Sequence, residues 1–138
     1  MTEEYLRDLI KSEGNSKEWA YKCKNGLEFK CLITRPSNQK EYIDELLPIY
    51  LCGYVYFDES VDISKILVHG GITYTDKDMI GFDCAHASDI KFLSQVRDPR
   101  LVYRDMEYVT ENCHSLAEQL SKLSKKKLRN HKIDGILN

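Results

Sequence analysis

The chain has 138 residues, with 20 Lys+Arg against 22 Asp+Glu and a formal net charge of −2. That length predicts a single domain, residues 1–138, and excludes a multidomain enzyme or a full TIM barrel. At 42% apolar and 30% charged residues the composition is that of a folded globule, and the near balance of charge gives no general attraction to nucleic acid or to an anionic membrane.

The elements follow in chain order. Residues 2–13 carry Tyr5, Leu6, Leu9 and Ile10 at helical spacing, with Thr2 as a cap and Gly14-Asn15 as a stop. A hairpin comes next, with Trp19, Tyr21 and Cys23 alternating on one arm and Leu27, Phe29, Cys31 and Ile33 on the other. A two-residue Asn25-Gly26 turn would mix charged and apolar residues on each face. A three-residue loop, Lys24-Asn25-Gly26, pairs Cys23 with Leu27, Tyr21 with Phe29 and Trp19 with Cys31, and gives one apolar face. Gly26 then takes the left-handed position. Residues 39–47 are expected to form one or two helical turns ending before Pro48.

The run from Ile49 to Phe57 reads as a buried strand, with Gly53 admitting close approach of another backbone. Asp58 to Asp62 is an acidic loop, and Ile66 and Val68 read as a further strand. Ile72–Tyr74 and Met79–Phe82 read as two strands around a turn at 75–78. Asp98-Pro99 is the expected start of a long helix over about residues 101–127, whose Met106, Val109, Cys113, Leu116, Leu120 and Leu123 form a stripe suited to packing on a sheet. The tail cations Lys122, Lys125, Lys126, Lys127, Arg129 and Lys132 read as a solvated helix end. The class is α+β: an antiparallel sheet of about five to six strands, with a short N-terminal and a long C-terminal helix packed on it.

The five cysteines, Cys23, Cys31, Cys52, Cys84 and Cys113, are irregularly spaced and form no C-x-x-C pair. They read as reduced, mostly buried thiols of a cytoplasmic protein. The first residues lack the basic and apolar regions of a signal peptide, and no apolar run approaches the ~18 residues of a membrane span.

Residues that carry chemistry are densest between His69 and Asp89. His69-Gly70-Gly71 combines an imidazole with a diglycine bend whose N–H groups can converge on a ligand. Thr73, Tyr74, Asp83, His86 and Asp89 follow, and Arg104 and Tyr108 open the last helix, where a guanidinium can grip a phosphate or carboxylate. The rings of His69 and His86 are expected to face one solvent-reachable hollow beside the diglycine. His69, His86 and Asp83 are the candidate acid–base residues. Cys84 beside His86 is a weaker candidate nucleophile. No metal or other cofactor is expected: in an extended strand Asp83 and His86 point to opposite faces, and Cys84-x-His86 is no established zinc pattern.

Val-His-Gly-Gly-Ile-Thr-Tyr (68–74), Ile-Gly-Phe-Asp-Cys-Ala-His-Ala-Ser-Asp (80–89) and Tyr-Arg-Asp-Met-Glu-Tyr-Val (103–109) together resemble a family of small proteins from phages and prophages. Its members also carry a strand ending Gly-Tyr-Val, here Gly53-Tyr54-Val55. The likeness covers roughly residues 50–120. Ile72 stands where Leu is common, and Asp58-Glu59-Ser60 replaces a Gly-His-Pro segment often found after that strand, together with any ligand contact it makes. The resemblance implies a phage context, hence the host cytoplasm, and a shared site. Small phage proteins often act against host defence, by binding or cleaving nucleotide signals or by blocking a host protein.

Three functions follow as expectations. The leading one is a binding protein for a small, nucleotide-derived ligand held by His69, Gly70, Gly71, Thr73, Tyr74, Asp83, His86, Asp89, Arg104 and Tyr108. The second is a histidine-based hydrolase, a phosphoesterase or glycosidic-bond enzyme. The third is a blocker of a host defence protein. A small core also leaves a homodimer open.

Overall fold

The computed structural model describes residues 1–36 and 48–126. The helical turns expected over 39–47 and the cations Lys127, Arg129 and Lys132 lie outside the described residues. An N-terminal helix, α1 (Glu3–Glu13), is capped by Thr2, whose hydroxyl accepts the Tyr5 N–H at 3.0 Å, and stops at Gly14 with φ of 80°. Five antiparallel strands follow: β1 (Ser16–Lys22), β2 (Glu28–Thr34), β3 (Cys52–Tyr56), β4 (Tyr74–Thr75) and β5 (Met79–Asp83). Their spatial order is β1-β2-β3-β5-β4. A long helix, α2 (Met106–Leu123), completes the α+β architecture.

The hairpin has the register that a single apolar face demands. Trp19 lies opposite Cys31 and Tyr21 opposite Phe29. The Cys23 N–H donates to Leu27 O at 2.7 Å, and Gly26 sits at φ of 91°. The stripe Val109, Cys113, Leu116, Ala117 and Leu120 of α2 packs on this face with Cys31, Ile33, Val55, Ile80 and Phe82. Gly53 is required at the crossing: a Cβ there would meet Phe82 Cζ at 2.5 Å and Cys113 Sγ at 2.8 Å.

Three elements depart from the sequence reading. Ile66–Val68 is not a strand; a 3-10 turn, Ile63–Lys65, precedes a segment without a strand neighbour among the described residues. Side chains of α2 take the place of that neighbour. The Leu67 N–H donates to Gln119 Oε1 at 2.8 Å, and Gln119 Nε2 donates to Leu67 O at 2.7 Å. The long helix begins at Met106, not near Pro99, because Asp105 supplies its cap by accepting the Tyr108 N–H at 2.9 Å. Asp98 spends its carboxylate on Arg100, and residues 88–90 pair with Val102 instead. Finally, α1 packs not on the sheet but against a 3-10 turn, Leu93–Arg97. Leu6 and Ile10 join Ile49, Ile90, Leu93 and Tyr103 in a second apolar cluster.

Arg35 joins the two clusters. Its buried guanidinium donates to Tyr103 Oη at 2.9 Å, Glu13 Oε1 at 3.2 Å, Gly14 O at 3.0 Å and the Ile49 carbonyl. Glu13 in turn accepts the Tyr103 hydroxyl and the Met106 N–H, each at 2.7 Å. One ion pair thus fixes the end of α1, the end of β2 and the entry to α2.

The hairpin meets α2 through His114. Trp19 Nε1 donates to His114 Nε2 at 2.9 Å, and Tyr21 stacks on the ring at 4.1 Å. That nitrogen must be bare, and burial, with Lys17 nearby, holds the His114 pKa below its ordinary value. The folded state therefore resists protonation that the unfolded chain undergoes near pH ~6.5, so this contribution is full above that pH and is lost as pH falls below it. The urea midpoint should drop between pH 7 and 5 together with a change in the emission of Trp19, the one tryptophan, and His114→Gln should flatten both. Gly53→Ala should cost about 1–3 kcal/mol through overpacking, read as a lower melting temperature.

Candidate functional site

β5 ends at Asp83, and the chain then turns sharply. The Asp83 carboxylate caps that turn by accepting the Ala85 N–H at 3.0 Å. Because the strand stops there, the parity that would separate Asp83 from His86 no longer applies. Their side chains approach to 3.2 Å, between Asp83 Oδ1 and His86 Nε2, though without hydrogen-bond geometry. Gly70 lies directly over the His86 ring: a Cβ on it would fall 2.0 Å from His86 Nε2. Gly70 and Gly71 both adopt positive φ, 68° and 82°, and Gly71 N–H closes the bend on Val68 O at 2.9 Å.

The centre of the site is Asp89, whose side chain is 0% exposed. Its Oδ1 accepts from Arg104 Nε at 2.9 Å and its Oδ2 from the His86 backbone N–H at 3.0 Å. His69 Nε2 lies 3.0 and 2.8 Å from the two oxygens. Burial pushes the Asp89 carboxyl upward, but the hydrogen bonds from His69, Arg104 and the His86 N–H outweigh it and hold the pKa below the ordinary value. Asp89 is therefore a buried anion.

His69 is gripped on both sides. Its other nitrogen, Nδ1, lies 2.8 Å from the Tyr108 hydroxyl, and its backbone N–H donates to Asn112 Oδ1 at 3.1 Å. The His69 and His86 rings stand edge to face with centroids 5.7 Å apart. The expected pairing of the two imidazoles is thus present, but His69 is turned inward, with 10% of its side chain exposed and both nitrogens engaged. Arg104 lies with its guanidinium carbon 5.1 Å above the Tyr108 ring.

The structure thus brings together His69, Gly70, Gly71, Asp83, His86, Asp89, Arg104 and Tyr108. It does not bring Thr73 and Tyr74 to them. Thr73 is exposed and bonds the strand through its backbone, N–H to Gly81 O at 3.0 Å. Tyr74 packs edge-on against Tyr54 and donates its hydroxyl to Asp76 at 2.7 Å. Tyr54 alternates with Gly53 and Val55, which face α2, so Tyr74 occupies the opposite face of the sheet. Cys84 is no nucleophile: it sits in the main core, and burial pushes its thiol up. All five cysteines are free and buried.

Two positioning residues escaped the sequence reading. Asn112 holds His69 and lies one helical turn from Tyr108, whose carbonyl accepts its Nδ2 at 3.0 Å; a polar residue at that spacing was the available signal. Lys91 reaches back to the carbonyls of His86 and Asp89 at 3.0 and 3.2 Å, a contact with no sequence signature. Among the described residues no group of three or more His, Cys, Asp and Glu is placed to hold a metal ion. A cavity of about 520 Å³ lies at the opposite end of β3, floored by Leu27, Phe29, Tyr56 and Phe57. Glu28, Lys30, Asp58, Asp78, Ser124 and Lys126 also line it, with Lys126 paired to Asp58 at 2.7 Å and Lys30 to Glu18 at 3.1 Å.

Comparison of the chain with protein-family models, with curated proteins and with solved structures gave no match. No helix among the described residues is long and apolar enough to cross a membrane.

Asp89 stabilises the fold only while charged. Its contribution is present above the unfolded pKa of about 3.9 and is lost as pH falls through the lower folded value. Asp89→Asn should cost on the order of 3 kcal/mol at pH 7, because Arg104 loses its buried counter-charge and His69 Nε2 its carboxylate partner. Urea titrations of both proteins should show the gap closing as the pH is taken below about 4.

Proposed function

We propose that this protein binds a small, anionic, nucleotide-derived molecule on the surface formed by Arg104, Tyr108, His86 and the Gly70-Gly71 bend. One observation carries this reading. Arg104 commits Nε to Asp89 and its face to Tyr108, while its two terminal nitrogens have no hydrogen-bond partner among the described residues. A guanidinium fixed at its root, with its fork unengaged and 22% of its side chain exposed, is preorganised for an oxyanion. The positive-φ Gly70 lies over the His86 ring, which stands edge to face with His69. In a phage, which the sequence resemblance suggests, such a protein would sequester a host defence signal.

A hydrolase acting on the same ligand class is the second reading, and the Asp89–His69–Tyr108 alignment favours it. An imidazole between a carboxylate and a hydroxyl is an arrangement that moves protons. The acid–base role would then fall to Tyr108, with His69 behind it and His86 with Asp83 opposite. Altered products after incubation with nucleotides would select this reading over pure binding.

Native mass spectrometry of protein purified from cells should show a bound species of nucleotide mass. Arg104→Gln should lose it, since a charge-assisted contact is worth roughly tenfold to a hundredfold in affinity. A wild-type protein that carries no ligand, and whose melting temperature no nucleotide raises, would refute the proposal.

A further inference from the structure

We infer that β1 is a self-association edge: two copies of this chain pair their β1 strands antiparallel about a two-fold axis at Ala20, with Glu18 of each copy facing Lys22 of the other, so that the two sheets join into one. The binding proposed above does not depend on this contact.

β1 uses alternate residues to bond β2. Just beyond its two ends the Cys23 N–H donates to Leu27 O at 2.7 Å, and the Arg35 N–H donates to Asn15 O at 2.8 Å. Bonded and non-bonded residue pairs alternate along an antiparallel ladder. Counting inward from either end, the bonded residues are Lys17, Trp19 and Tyr21, opposite Ile33, Cys31 and Phe29. The N–H and C=O groups of Glu18, Ala20 and Lys22 therefore point away from β2. β1 is the end strand of the sheet, and no strand among the described residues pairs with that side of it. Proteins blunt such edges with very short strands, proline or bulges. The other edge follows that rule, since β4 has two residues. β1 has seven residues in unbroken register, without proline, glycine or bulge.

The side chains along this edge select the partner. Trp19 and Tyr21 reach His114 of α2, so Glu18, Ala20 and Lys22 lie on the opposite face of the sheet, and all three are exposed. With Ala20 on the axis, Glu18 of each copy stands directly opposite Lys22 of the other, and the small Ala20 side chains meet at the centre. These are the residues whose outward backbone groups can exchange hydrogen bonds, so charge and ladder agree in one register. Neighbouring registers fail. Glu18 or Lys22 on the axis sets like charges against each other, and Trp19 or Tyr21 on the axis leaves Glu18 or Lys22 opposite Ala20. On the other face the Ala20 axis sets Trp19 opposite Tyr21 of the second copy, an aromatic cross-strand pair on each side of the axis. α2 packs chiefly over β2 and β3, and α1 on the Leu93–Arg97 turn, which leaves this seam clear of both helices. The remaining cation of the strand, Lys17, is turned inward, with Nζ 4.6 Å from the Trp19 ring centre and 3.2 Å from Thr110 Oγ1. Glu18 also pairs with Lys30 of its own β2 at 3.1 Å, so in the dimer its carboxylate stands between two cations.

Sedimentation equilibrium of the full chain should show a reversible dimer of twice the chain mass. Ala20→Pro removes an outward N–H and no bond to β2, so it should give a monomer with the circular dichroism of wild type. Glu18→Lys should weaken the dimer about tenfold, through like charges on both sides of the axis. Adding Lys22→Glu to that variant should restore the dimer, although the pair with Lys30 stays lost; a role for Glu18 within its own chain would not be rescued this way. Ala20→Cys should join two copies through a disulfide under mild oxidation, while the native cysteines, all buried, should not. A wild-type chain that sediments as a monomer at every concentration would overturn the inference. So would a dimer that survives Ala20→Pro, one that Lys22→Glu fails to restore in the Glu18→Lys protein, or one that Ala20→Cys does not crosslink.

Discussion

A single carboxylate, that of Asp89, organises the part of this molecule where chemistry is concentrated. It is fully buried, and a lone buried charge is untenable unless its neighbours satisfy it. Three separate chain segments do so. The residue that opens the Gly70-Gly71 bend, the turn after β5 and the lead-in to α2 each surrender a donor to it, through His69, the His86 N–H and Arg104. The geometry of His69 and Arg104 follows from this. His69 faces inward because its Nε2 is held there, with Tyr108 on its other nitrogen. Arg104 lies across the Tyr108 ring because its Nε is anchored below.

Asp89 also sits at a seam. Cys84 and Val109 belong to the cluster between sheet and α2, whereas Ile90 and Tyr103 belong to the cluster under α1. Two of the segments that reach Asp89, residues 84–90 and 103–109, cross between the two. Arg35 performs the same joining a short distance away, tying Glu13, Ile49 and Tyr103 together. The two apolar clusters are thus bonded to each other by two buried polar centres. Only the Asp89 centre holds a histidine and presents a partly exposed guanidinium.

What was legible in the sequence was whatever had a local cause. Alternation fixed the hairpin register, because only one loop length put Trp19, Tyr21 and Cys23 on a common face with Phe29 and Cys31. Thr2 and Gly14 bounded α1 for the same reason. The diglycine and the two histidines were found together because they are unusual residues close in sequence. What was not legible depended on partners far along the chain. The residues 66–68 have strand-like composition, yet their backbone is paired by Gln119 from α2, some 52 positions away. The start of α2 was misplaced because Pro99 is a reasonable first-turn residue, and only the pairing of Val102 with Ser88 and Ile90 shows why the chain stays extended there. Tyr74 read as a site residue from its place in the motif, but strand alternation sent it to the other face, against Tyr54.

Stability alone does not account for the Asp89 centre. A buried ion pair holds little or no advantage over well-packed hydrocarbon of the same volume, and removing its charges altogether is often neutral or stabilising. The neighbouring clusters show that this chain packs hydrocarbon without difficulty, with Leu93, Ile90, Cys84 and Val109 all within the cores that flank Asp89. Fold maintenance would be served by a leucine in place of Asp89 and apolar residues in place of His69 and Arg104. What the carboxylate provides that leucine cannot is orientation: a fixed tautomer at His69, and a guanidinium held at its root while its fork stays unengaged. An oriented imidazole and an open guanidinium fork are what the recognition proposed for this centre would use.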